Sequence, residues 1–144
     1  NLKRINYGDR FRTDNVTDMS HMFEGSGELT IIRLSNFNTS NVTNMRDMFY
    51  ECYGLQIIYA PNFNTEKVTD MSGMFWMCIN LKRLNLSHFD MSGVSYKQYM
   101  CSGLSTESEA CTITCPTAVR RAVENGTDLP TSGVVFTWVT PTSK

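Results

Sequence analysis

FNTSNVTNMRDMFYEC, residues 37–52, returns 26 positions later as FNTEKVTDMSGMFWMC, residues 63–78. At that step, with no gap, Phe11, Phe37, Phe63 and Phe89 form one column, and Val16, Val42, Val68 and Val94 form another. Thr13, Thr39 and Thr65 keep the same step, as do Met22, Met48, Met74 and Met100, and Leu29, Leu55 and Leu81. A fixed period of this length marks stacked repeats, in which each unit buries its apolar face only against its neighbours.

Each repeat has two phases. In the first, Val42, Met45, Met48, Phe49 and Cys52 fall at helical spacing, and Val68, Met71, Met74, Phe75 and Cys78 repeat that stripe. The spacing predicts short helical arms near 43–52 and 69–78, with Asn41 or Thr43 as the N-cap. In the second phase Leu81, Leu84, Leu86 and Phe89 read LxxLxLxxF. Leu29, Ile32, Leu34 and Phe37 match this pattern, and so do Leu55, Ile58, Ala60 and Phe63. The central alternation predicts strands near 31–35, 57–61 and 83–87, each pairing in parallel with its equivalent about 4.8 Å away. The expected fold class is an α/β solenoid, a leucine-rich-repeat-like right-handed coil of 26-residue repeats with a short parallel β-ladder and short helical arms.

Residues 2–7 match residues 81–86, so the chain opens inside a repeat. Regularity fades after Val94, where Met100, Cys101 and Leu104 match Met77, Cys78 and Leu81 at a step of 23. That match predicts a last turn about three residues shorter than the others. A strand at 112–114, a helix opened by Pro116 and closed by Gly126, and a strand over 134–139 then compose a small α+β C-terminal cap. The expected organisation is about four repeats over 1–104, the first partial, followed by the cap over 105–144.

The charge is nearly balanced, 13 Lys plus Arg against 14 Asp plus Glu, which supplies no field for nucleic acid or an anionic membrane. No apolar run of about 18 residues is present to span a bilayer, and the first fifteen residues carry no leader-type apolar core. The five cysteines follow the repeat rather than the paired spacing of metal ligands. Cys52 and Cys78 share a column and read as reduced, buried, small hydrophobes, and Cys111 and Cys115 are not expected to bond each other. Asp18, Asn44 and Asp70 form a polar column that reads as capping at helix starts rather than as a calcium site. His21 and His88 belong to different columns and make no acid–base pair. No catalytic residue, metal or cofactor is expected.

The VTxMxxMF core of the two quoted segments, with its trailing Cys and leucine strand, resembles the BspA-like leucine-rich repeat family of bacterial surface proteins. The resemblance covers residues 2–104 and weakens in the fourth copy, where Lys97 replaces a Met. It implies an extracellular or bacterial cell-surface protein engaged in attachment, with no catalytic residues and no fixed set of binding residues.

Outward strand positions fall into columns that include Arg4, Ile31, Ile57 and Arg83, and Asn6, Arg33, Tyr59 and Asn85. Apolar groups flanked by arginines are the composition of interface hot spots. The expected ligand face is therefore Arg4, Ile31, Arg33, Ile57, Tyr59, Arg83 and Asn85. It would dock a host matrix or cell-surface protein, or a glycan. The alternative expectation is a structural spacer within a larger surface protein.

Overall fold

The structure is a computed structural model that describes residues 5, 7, 11–104 and 111–116, together with the backbone of residues 134–138. Five strands, β1 (Ile31–Arg33), β2 (Ile57–Tyr59), β3 (Arg83–Asn85), β4 (Cys111–Cys115) and β5 (Val134–Trp138), form one sheet in chain order. Every pairing is parallel. Ile31 lies opposite Ile57 and Ile57 opposite Arg83, which is the 26-residue step of the sequence. Beyond Pro116, the predicted helix that runs to Gly126 lies outside the described residues.

Arg83, however, lies opposite Thr112, a step of 29. The last connection is thus three residues longer than a repeat, not three shorter. The 26-residue register runs unbroken to Ser102, whose carbonyl accepts from Met77 N–H as that of Trp76 does from Glu51 N–H. Cys101 therefore stands in the column of Phe75 and Leu104 in that of Cys78, both fully buried. The extra residues enter between 104 and 111, and the Met–Cys–Leu likeness at a step of 23 is coincidental.

The helical arms are also absent: among the described residues no segment is helical, and 46–51 is a run of turns. A helix returns each N–H to its own chain four residues back. Here Met45, Asp47, Phe49 and Glu51 donate instead to the carbonyls of Asp70, Ser72, Met74 and Trp76 at 2.9–3.0 Å. Only the alternate amides of Met48, Tyr50 and Cys52 turn back, to Met45, Asp47 and Phe49. Turns that close in three residues bring side chains to one side at nearly helical spacing, so the apolar stripe looks the same for both. In every second one of these turns, such as Met45–Met48 and Phe49–Cys52, the third residue is left-handed, as a type II turn requires. Positive φ accordingly recurs at His21, Asp47, Gly73 and Tyr99, and at Gly25, Glu51, Met77 and Gly103, two columns in the same 26-residue step. Each non-glycine there costs about 1–2 kcal/mol, which the bonds to the next repeat offset.

The expected cap residues serve the same purpose. Thr43 donates through both its N–H and its hydroxyl to the Thr17 carbonyl, and Asn41 Nδ2 donates to that of Asp14. The oxygens Oδ1 of Asp18, Asn44 and Asp70 accept the amides of Ser20, Arg46 and Ser72, closing side-chain turns rather than helix ends. The same column is joined by isolated parallel bridges that run on to Tyr96.

Thr13, Thr39 and Thr65 are the buried polar side chains among the described residues. Each hydroxyl donates to the carbonyl of the residue 25 ahead and accepts that residue's amide: Thr39 with Asn64 at 2.8 and 2.7 Å, and likewise Thr13 with Asn38 and Thr65 with Asp90. Beside them Phe23, Phe49 and Phe75 stack face to face with centroids 5.4 and 5.6 Å apart. The Cys52 and Cys78 thiols donate to the carbonyls of Phe23 and Phe49. All five cysteines are buried and free. Burial pushes the Cys52 thiol up to about 11 and that of Cys111 to about 12, and raises Cys78 and Cys101 in the same direction.

Phe49→Ala is expected to cost about 3–5 kcal/mol by urea denaturation, because the stacked column leaves little room for collapse. Thr39→Val, nearly the same size, should cost about 1–3 kcal/mol by stranding the Asn64 amide and carbonyl. At neutral pH the native protein should leave all five thiols unreactive to DTNB, and all five should react in denaturant. The folded pKa values of Cys52, Cys78, Cys101 and Cys111 lie above the unfolded value of about 8.5, so their contribution to stability is complete below that pH. It is lost as pH rises toward 11–12, and the midpoint of urea unfolding should fall across that range.

Candidate functional site

Alternation along the strands sends Ile32, Leu84 and Ile113 into the core and the residues on either side of each outward. Ile31, Ile57, Arg83 and Thr112 form one outward row; in the next, Arg33 lies opposite Tyr59 and Asn85 opposite Thr114. Ile57 and Tyr59 stand 44% and 48% exposed. The Arg33 guanidinium carbon lies 5.8 Å from the centre of the Tyr59 ring, within cation–π range. Among the described residues, the ion pairs are His21 with Glu24 and Arg46 with Asp47, so Arg33 and Arg83 have no carboxylate partner. The surface is thus an apolar centre edged by two cations without a carboxylate partner, and neither outward row holds an Asp or Glu.

Of the residues predicted for this face, the structure brings Ile31, Arg33, Ile57, Tyr59, Arg83 and Asn85 to one side of one sheet. Arg4 lies outside the described residues. Asn85 is partly committed, since its Oδ1 accepts the Ser87 amide at 2.9 Å.

A protein-family model matches residues 2–112. The chain belongs to the family described as Mycoplasma protein of unknown function, DUF285. No curated protein and no solved structure matches it. The matched span includes every repeat, so the exposed face on β1 to β3 is part of this DUF285 unit. Among the described residues no helix is long and apolar enough to cross a membrane, and no cluster of three His, Cys, Asp or Glu side chains is placed to hold a metal.

A second aromatic group escaped the sequence reading. On the turn segments Tyr50 stacks on Trp76 at 4.7 Å, and Trp76 on Tyr99 at 5.2 Å. Tyr99 is 46% exposed, with Tyr53 and Tyr96 also at the surface. The Glu51 carboxylate beside both phenols holds Tyr50 up at about 12, and burial followed by Glu51 raises Tyr53. The available signal was the Tyr50–Trp76 step of 26 residues. Tyr99 is reached from a different column, that of His21, Asp47 and Gly73, and only the fold places it against Trp76.

The two groups should differ under mutation. Trp76→Ala removes two stacked pairs and is expected to cost at least about 1–3 kcal/mol in thermal denaturation. Tyr59→Ala and Arg33→Ala, on the outer side of the sheet, should each stay within about 0.5 kcal/mol of wild type.

Proposed function

We propose that this chain is a non-enzymatic recognition module carried on a bacterial cell surface, a leucine-rich-repeat-like solenoid of the BspA kind that docks a protein through the outer face of its ladder. The observation that carries this reading is the pair of arginines without a carboxylate partner among the described residues, Arg33 and Arg83, around the exposed Ile57 and Tyr59. An exposed aromatic beside an unpaired guanidinium is the usual composition of an interface hot spot. The partner it fits presents carboxylates to the two guanidinium groups and an apolar group between them. The solenoid reading is supported by bonds that run from repeat to repeat at one constant step. The surface location is supported by the resemblance of the VTxMxxMF repeats. A plain spacer accounts less well for a hydrophobic centre left in water on the outer side of the sheet.

The test is capture of host matrix proteins, cell-surface proteins, mucins and an array of glycans by the immobilised chain. A protein ligand is expected, bound at least about 30-fold more weakly by the Arg33→Ala/Tyr59→Ala double variant while its melting temperature stays that of wild type. Equal capture by that variant would move the site elsewhere, and capture of glycans alone would overturn the choice of a protein partner.

A further inference from the structure

The column Leu34, Ala60, Leu86 holds two fully buried leucines on either side of a half-buried alanine. Where the third side chain would lie there is a cavity of ≈ 90 Å³ between β2 and β3, walled by Ile58, Phe63, Leu84 and Phe89. The backbone opens at the same place. Leu34 N–H donates to Tyr59 C=O and Leu86 N–H to Thr114 C=O, both at 2.8 Å, but among the described residues no equivalent bond joins Ala60 to Asn85. β2 and β3 pair only at Ile57 and Arg83, whereas β1 with β2 and β3 with β4 each pair at three positions. The turn bond from Phe63 N–H to Ala60 C=O is stretched to 3.5 Å against 3.1 and 3.0 Å in the neighbouring copies. Phe63 and Phe89 stand 6.5 Å apart, wider than the 5.2 Å between Phe11 and Phe37. Pro61 has no amide to give and holds Ala60 extended, so the gap is built into the local sequence.

We propose that this notch is a pocket for one branched aliphatic side chain of leucine size, presented by the protein that docks on the ladder face; the source of the side chain rests on that docking reading, the pocket itself does not. The lining is mostly aliphatic and aromatic carbon, with Tyr59, Asn85 and His88 also around it, so its depth suits an aliphatic group better than water. The missing group is the one that Leu34 and Leu86 supply in the copies on either side, which sets both the shape and the size of the occupant. A tryptophan exceeds the volume, and a sugar would strand its hydroxyls against phenylalanine. The pocket rim includes Tyr59 and Asn85, two members of the ladder face, so a side chain entering it comes from a partner already lying across Arg33 and Arg83.

The experiment is a titration of the full chain with N-acetyl-leucine-amide, followed in ¹H–¹³C methyl spectra, with N-acetyl-glycine-amide as control. Saturable shifts confined to the methyls of Ile58, Ala60, Leu84 and Leu86 are expected with the leucine compound only. Ala60→Leu, which supplies the missing group from within, should weaken that binding at least about 10-fold while holding the melting temperature at or above wild type. Should that variant not fold, Ala60→Val fills part of the space and the same loss is read from it. No saturable shift in the wild type, or undiminished shifts in the filled variant, would overturn the pocket. No partner protein enters this titration. Intact shifts alongside unaltered capture by the Arg33→Ala/Tyr59→Ala variant would therefore fault the docking reading alone.

Discussion

Between Thr39 and Asn64 two hydrogen bonds share one hydroxyl, which gives its proton to a carbonyl and takes an amide proton from the same residue. A buried threonine can do this only if the neighbouring strand of chain lies at one fixed distance and phase. The turn amides impose the same condition, since every second one finds its acceptor in the next repeat. Leaving such groups dry and unpaired would cost about 1–3 kcal/mol each, so a repeat cannot shift or leave without penalty at several sites. The column ends at Met91, which stands where a fourth threonine would be and can make neither bond.

This dependence explains why left-handed residues are tolerated at Asp47, Glu51 and Met77. Taken alone, each conformation is unfavourable for a residue with a Cβ. It persists because it aims the adjoining amides at the neighbouring repeat, where acceptors wait. Gly54 shows the closeness of the approach: a Cβ there would overlap the carbonyl oxygen of Gly27 in the preceding copy. Stability and repeat spacing are therefore one property of this chain rather than two.

The strands, the inward leucines and the outward rows of the ladder were legible because a two-residue alternation has one structural meaning, and Ile31, Ile57 and Arg83 share a row as their spacing requires. The arms were not legible. Val42, Met45, Met48, Phe49 and Cys52 satisfy a helix and a chain of three-residue turns alike, and what separates the two is the destination of amides that sequence does not display. A hint lay in the arm itself, where Gly73 occupies the middle of the predicted helix opposite Asp47. The length of the last connection was misjudged for a related reason. Cys101 and Leu104 are apolar enough to fit two alignments, and only the bond from Met77 to Ser102 chooses between them. The outward face was named from its residues, but whether Arg33 and Arg83 found partners depended on side chains distant in sequence.

In a chain built from copies, agreement within a column records what the fold requires, and departure has two different causes. Met91, Lys97 and Cys101 depart together in the last copy, where the threonine and phenylalanine columns end and no further unit follows in register. Those changes track the end of a structure. Ala60 departs together with the adjacent Pro61, between copies that carry Leu and Ser on both sides, and the departure costs the fold a leucine's worth of packing and a ladder bond without any end to serve. The exchange of Ile57 for Arg83 and of Arg33 for Tyr59 occurs on the outer side of the same three strands, where no packing demand limits the choice. Interior and exterior departures thus meet at β2. A solitary gap in an otherwise filled interior, opening beside the least constrained part of the surface, is a local departure from the packing rule that the proposed docking reading would account for.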